Sequence, residues 1–182
     1  MESKEEKIIS LFFNEPTKHW HFEAILKTAK ISRPQAASWL KKFLNAGLVK
    51  KVKDKGKMPY YLGDYENPEY QTRKKIYAME QMAKAGFLQH LASLPKVKTA
   101  IIFGSFCRWD WYKESDIDLF IYGDPEGLKT GEYELKLHRD IQLFICENKE
   151  ELLKFRPGLI KNIIKGNMIK GNIDFVKVNI NV

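Results

Sequence analysis

The sequence predicts an α+β protein built as two modules, and three observations predict it. Apolar residues recur at helical spacing through most of the first 46 residues and again over 69–93. Short apolar runs bounded by Gly, Pro, Asn or charged residues mark strands at 48–53, 58–62, 98–103, 116–122 and 141–146. The charge is lopsided: residues 1–63 hold 13 Lys/Arg against 6 Asp/Glu, whereas residues 64–182 hold 18 against 17. Nearly all of the net +8 therefore belongs to the first third, as in a nucleic-acid-binding module joined to a neutral one. The expected division is a basic module at 1–65, a linker helix at 66–95, and an α/β domain with a mixed sheet at 96–182.

In the first third, Ile8, Ile9, Leu11, Phe12 and Phe13 form the apolar face of a helix that Asn14-Glu15-Pro16 ends. Phe22, Ile25 and Leu26 repeat at helical spacing in a short second helix. Ser32-Arg33-Pro34-Gln35 opens a third, with serine at the N-cap, proline in the first turn and glutamine three residues on to complete a capping box. Ala37, Leu40, Phe43 and Leu44 mark its buried stripe, and Gly47 supplies its C-terminal stop. The strand-like pieces at 48–53 and 58–62 follow, joined by a tip rich in lysine and glycine.

Helix, helix, turn, helix and a two-stranded wing is the plan of a winged helix-turn-helix. The run from Ser32 to Val52 resembles bacterial and archaeal transcription regulators of that fold. The resemblance implies DNA as a partner, with the third helix in the major groove. Arg33, Gln35, Ser38, Trp39 and Lys42 would then face the bases, and Lys50, Lys51, Lys53, Lys55 and Lys57 of the wing the phosphates. The same lysines also suit a solvated edge that resists strand pairing, and winged domains also dock proteins. Residues 69–93 then carry Ile76, Met79, Met82, Ala83, Phe87 and Leu91 on one helical stripe, read as core or as the seam of a homodimer.

In the last module, Lys98-Thr99-Ala100 leads into the apolar strand Ile101-Ile102-Phe103, and Gly104-Ser105 reads as a turn opening a helix. After a spacer of ten residues, Asp116-Ile117-Asp118-Leu119-Phe120-Ile121 reads as a strand with aspartates at i and i+2, hence on one face. Two carboxylates on one face repel each other unless a cation sits between them. Hard oxygen ligands favour Mg²⁺ (or Mn²⁺), held by one or two carboxylates plus substrate phosphates. Gly104 lets the backbone approach a phosphate closely, and amides opening a helix attract anions. The motif points to a magnesium-nucleotide site. Helices at 133–139, 147–155 and 157–165 flank a third strand at 141–146, with Gly166-Asn167 as a break. Ile173-Asp174-Phe175-Val176 reads as a further strand, with Asp174 a reserve acid.

Gly104-Ser105, the spacer and Asp116-x-Asp118 in an apolar strand resemble the nucleotidyltransferases of the DNA polymerase beta superfamily. The nearest likeness is to the minimal nucleotidyltransferases of archaea and bacteria, over roughly residues 96–172. The resemblance implies that Gly104 and Ser105 hold a triphosphate and that Asp116 and Asp118 hold the metal. An acceptor hydroxyl then attacks the α-phosphate and pyrophosphate leaves. Arg108, Lys113 and Ser115 would complete the nucleotide site, with ATP as the donor. Antitoxins of this kind modify a tyrosine on a HEPN toxin, which implies a small helical HEPN-type partner.

Two departures bear on catalysis. Arg108 is followed by Trp109 where a small residue is usual, and a bulky indole there narrows the pocket unless it packs outward. The later strand, where a third carboxylate is expected, reads Ile141-Gln142-Leu143-Phe144-Ile145 and puts Gln142 in its place. A glutamine amide takes up no proton at neutral pH and is a poorer Mg²⁺ ligand. Asp140, two residues earlier on the same strand face, substitutes as the catalytic acid if the strand starts early or bulges. Two functions therefore stand side by side: a transferase moving a nucleoside monophosphate to a protein or other hydroxyl, and a DNA-binding regulator whose second domain senses a nucleotide or docks a partner.

No apolar run approaches the length that crosses a bilayer, and the first residues lack a signal peptide's apolar stretch, so no membrane partner is expected. Cys107 and Cys146 give neither a disulfide framework nor metal-ligand spacing, and the four histidines lack zinc-like grouping. Small buried thiols in a reducing cytoplasm are expected.

Overall fold

The computed structural model describes residues 3–174 and 176. The chain divides into two compact units: residues up to Ile76 together with Trp111–Lys113, and Tyr77–Asp110 together with Glu114 onward.

The first unit contains helices α1 (Lys4–Asn14), α2 (Phe22–Ala29) and α3 (Arg33–Asn45), then the antiparallel pair β1 (Val49–Val52) and β2 (Tyr60–Gly63). Helix α4 (Pro68–Lys84) follows, and the unit boundary falls within it. α1 opens on a capping box: the Ser3 hydroxyl accepts from the Glu6 amide at 3.1 Å, and the Glu6 carboxylate accepts from the Ser3 amide at 2.9 Å. At the head of α3 the Gln35 side-chain oxygen accepts from the Ser32 amide at 3.4 Å. The expected face of α1 is buried through Ile8, Ile9, Phe12 and Phe13. On α3 the stripe is turned by one residue: Ala36, Leu40 and Phe43 are buried, while Ala37 is exposed and Leu44 half-buried. Positions 36, 40 and 43 follow the four-three spacing of one helix face, and 37 lies about 100° round from 36.

Trp20, between α1 and α2, adds a third strand-like segment that the sequence reading did not include. Its N–H donates to the Tyr61 carbonyl at 2.9 Å and its carbonyl accepts from the Tyr61 N–H at 2.8 Å. A one-residue bridge carries no periodicity. The unit's core also holds Tyr70, whose hydroxyl donates to the Phe12 carbonyl at 2.8 Å. Lys74 is buried beside it, donating to the Trp111 carbonyl at 2.5 Å with its ammonium 4.4 Å from that indole's centre.

The second unit holds α5 (Phe87–Ser93), β3 (Val97–Phe103), β4 (Ile117–Gly123), α6 (Thr130–Leu137), β5 (Ile141–Cys146), α7 (Lys149–Leu152), α8 (Pro157–Ile164) and β6 (Asn167–Lys170). Its sheet runs in the order β5-β4-β3-β6. β4 and β5 are parallel, and the other two pairings are antiparallel, so the fold is α+β with a mixed sheet. Ile101, Phe103 and Phe120 on one sheet face pack with Cys146, Leu152 and Ile163. The alternating Ile102, Leu119 and Ile121 point the other way and are equally buried. With both faces covered, the strands read as continuous apolar runs.

Four expectations are corrected. The single helix over 69–93 is two helices, because Gly86 takes a left-handed φ of +80° and stops α4. Ile76 and Ala83 of the expected stripe are exposed, and Ala78 is buried with Met82, Phe87 and Leu91. α7 is a four-residue turn rather than a helix over 147–155. The helix over 157–165 does break before Gly166-Asn167, as expected, and a Cβ on Gly166 would lie 2.6 Å from the Ile102 carbonyl and 2.8 Å from Phe103, so glycine also lets β6 approach β3. Asp174 stands exposed in a turn, its amide donating to the Asn172 side chain at 3.2 Å, and not in a strand. Phe175 lies outside the described residues. Among those described, no helix is long and apolar enough to cross a membrane.

Candidate functional site

The site is built where β3 ends and β4 begins. Phe103, the last residue of β3, pairs with Asp118 on β4. The chain then turns at Gly104, φ +74°, into a single 3₁₀ turn over Gly104–Cys107. A Cβ on Gly104 would collide with a carboxylate oxygen of Asp118. The acid therefore lies against the turn, and only glycine allows the contact. Cys107 fastens the turn from below: its thiol donates to the Ile102 carbonyl at 2.6 Å and accepts from the Asn167 amide at 3.4 Å. Burial pushes that thiol up, so it is a packing group rather than a nucleophile. The helix expected after Gly104-Ser105 is this one turn, because Arg108 returns to extended backbone. What the elbow offers an anion is turn amides, not a helix dipole.

Asp116 is exposed just ahead of β4, and Asp118 is half-buried two residues on. Burial raises the Asp118 carboxyl above the usual carboxylate range, the Asp116 charge raises it further, and Arg108 opposes both. The Arg108 guanidinium is meanwhile forked onto Asp110, with Nε and Nη2 contacts of 3.0–3.2 Å, which raises its own pKa. Paired carboxylates beside a closely approaching backbone fit a hard divalent ion that draws its other ligands from phosphate and water. Among the described residues, no three His, Cys, Asp or Glu side chains gather into a metal-holding group.

The raised Asp118 pKa makes a pH prediction. A carboxyl that binds its proton more tightly folded than unfolded favours the folded state at low pH. That contribution is lost as pH rises from the ordinary carboxylate value of 3.8 through the raised folded value. Asp118→Asn removes this disadvantage. The metal-free variant is expected to be more stable than wild type at pH 7, the gain vanishing at acid pH, as read from urea denaturation across pH.

On the neighbouring strand, the parallel register sets Gln142 directly beside Asp118, about 4.8 Å away across the ladder. β5 begins at Ile141 with no bulge, so Asp140 stands just outside it, exposed, its carbonyl accepting from the Ile117 amide at 2.9 Å. Ser105 is half-buried in the 3₁₀ turn. The Ser115 carbonyl accepts from Arg139 Nη1 at 3.0 Å. Lys113 falls in the segment that packs with the first unit, where its amide donates to the Asn14 carbonyl at 2.8 Å. The structure thus gathers Gly104, Arg108, Asp116, Asp118 and Gln142. Arg139, which the sequence reading did not single out, carries no motif; only its long-range contacts mark it.

In the first unit, Ser38 and Lys42 of α3 are exposed. Arg33 pairs with Glu23 at 2.7 Å, and Gln35 is turned back onto the Ser32 amide. Trp39 stacks on Phe43 with centroids 5.8 Å apart, and the Lys42 ammonium sits 4.1 Å over its ring. Lys51, Lys53, Lys55 and Lys57 are exposed on the hairpin and its tip, while Lys50 faces Asp64 at 3.7 Å.

Residues 88–177 match the family described as Polymerase beta, Nucleotidyltransferase. This part of the chain is a nucleotidyltransferase-like domain. A crystal structure of a candidate nucleotidyltransferase from Sulfolobus solfataricus is also similar, at 14% identity over 59% of this chain and 93% of that one, with a TM-score of 0.30. Comparison with curated proteins gives no match.

Proposed function

We propose that the second unit transfers a nucleoside monophosphate from a Mg²⁺-bound nucleoside triphosphate, ATP first, to a hydroxyl on a protein or other acceptor. The observation that carries this is the Asp118 carboxylate seated against the Gly104 turn with Asp116 beside it. Asp116 and Asp118 would hold the ion, which supplies charge neutralisation on the phosphoryl oxygens when bound. Gly104 and Ser105 offer backbone and hydroxyl groups to the triphosphate. Arg108, forked onto exposed Asp110, is free to exchange that weak partner for a phosphate. Asp140, exposed one residue before β5, is the acid on that side to test for taking the acceptor's proton. A tyrosine hydroxyl on a HEPN-type helical protein is the first acceptor to try. Incubation with α-labelled ATP and Mg²⁺ tests the reading: label is expected on an acceptor. Absence of both transfer and nucleotide affinity would overturn it.

Gln142 beside Asp118 favours a second reading, a regulator that binds the nucleotide without turning it over. Both readings give the first unit a DNA-binding role as a winged helix-turn-helix. The order of its elements, with Trp20 pairing onto the β1–β2 hairpin between α1 and α2, supports that fold. Phosphate contact by Lys51, Lys53, Lys55 and Lys57 makes affinity fall steeply with salt. Changing all four to Ala is expected to flatten the slope of log K against log salt by about 3–4. Unchanged slopes in fluorescence anisotropy would remove the wing from the DNA interface.

A further inference from the structure

The β3–β4 register fixes Gly104 against Asp118, but the rest of the turn, Ser105–Cys107, and Asp116 ahead of β4 lie beyond that ladder. One side chain touches both segments. Arg139, which follows the left-handed His138 at the end of α6, sends Nη1 to the Ser115 carbonyl at 3.0 Å, directly before Asp116. The same guanidinium lies 4.9 Å from the ring centre of Phe106, the buried side chain of the 3₁₀ turn. Its own backbone is anchored too, the Arg139 amide donating to the Glu134 carbonyl at 3.2 Å. The next residue, Asp140, receives the Ile117 amide at 2.9 Å and so starts the β4–β5 ladder. Half-buried against Phe106, the planar cation serves as a spacer that can neither slide nor rotate cheaply.

We infer that Arg139 is a positioning residue that holds the 3₁₀ turn beyond Gly104 at its distance from the segment carrying Asp116. The importance of that distance rests on the proposed nucleotide site, because a triphosphate held at one end and its metal held at the other tolerate little misplacement. Displacement of about 1 Å costs on the order of a hundredfold in well-oriented reactions. Asp118 itself rides on β4, whose pairing with β3 does not involve Arg139. Loss of Arg139 should therefore leave Asp118 in register against Gly104 and let the rest of the turn, Ser105–Cys107, shift against the carboxylate pair.

Arg139→Met and Arg139→Lys test this in the full chain. In Arg139→Met the amides of residues 104–107 and 115–118 are expected to exchange with solvent at least tenfold faster, with residues 100–102 and 119–121 unchanged. Mn²⁺ affinity without nucleotide should stay within twofold of wild type, while Mg²⁺-ATP affinity falls at least tenfold. Arg139→Lys keeps a donor for the Ser115 carbonyl and should recover part of both effects. Unchanged exchange in the two segments, or faster exchange spread evenly over the sheet, would overturn the inference. So would equal loss of Mn²⁺ and Mg²⁺-ATP binding. If wild type binds no Mg²⁺-ATP while the exchange pattern holds, the proposed function falls and the positioning role stands.

Discussion

Gly104→Ala is expected to destabilise the second unit and to cost at least two orders of magnitude in Mg²⁺-ATP affinity. At φ +74° an alanine costs about 1–2 kcal/mol in backbone strain alone. Its methyl group also occupies the place of an Asp118 carboxylate oxygen. Asp118 pairs across the ladder with Phe103 and cannot retreat along the strand, so its side chain must rotate away from the elbow. The ledge then no longer faces the turn. A hundredfold loss corresponds to about 2.7 kcal/mol of binding. Gly158→Ala is the control: it lies in α8, where an added Cβ meets nothing within 4 Å. That change should leave binding untouched and, in a helix, add up to about 1 kcal/mol of stability. Equal effects of the two changes on binding would separate Gly104 from the site.

Gln142→Asp is expected to act in the opposite direction. The parallel register sets this side chain level with Asp118 on the same sheet face, and it is exposed. A carboxylate there supplies a third hard oxygen and a group able to take the acceptor's proton. General-base assistance is worth about 10²–10⁴-fold in rate. If the wild-type chain transfers slowly, transfer by Gln142→Asp should rise by about two orders of magnitude, with tighter Mg²⁺ dependence. The metal-free variant should lose stability at neutral pH, since a third negative charge joins Asp116 and Asp118. Asp140→Asn separates the two acids: it should lower transfer in wild type and matter less once residue 142 is acidic. No gain in Gln142→Asp, alongside transfer unaffected by Asp140→Asn, would mean that neither β5 position serves the chemistry.

Much of the second unit was legible because its signals are local and strong. The apolar run 117–122 falls within β4, and the apolar run 141–146 coincides with β5. The capping pattern at Ser32-Arg33-Pro34-Gln35 likewise located the start of α3. What escaped depends on distant partners. Asn167–Lys170 is only four residues, two of them apolar, and becomes a strand where Gly166 lets it close on β3. Gly86 sits in an uninterrupted apolar pattern, and only its left-handed φ reveals the break. Trp20 joins a hairpin some forty residues away through two backbone hydrogen bonds. Arg139 is one basic residue among many until Phe106 and Ser115 meet it.

Calorimetric titration of ATP, with and without Mg²⁺, into wild type and an Asp116→Asn/Asp118→Asn double variant bears most directly on the proposed site. Wild type should bind only when the divalent ion is present, and the double variant should lose that dependence together with most of its affinity while remaining folded. Binding that ignores Mg²⁺, or that survives unchanged without the two carboxylates, would contradict a metal-bridged triphosphate between the ledge and the elbow.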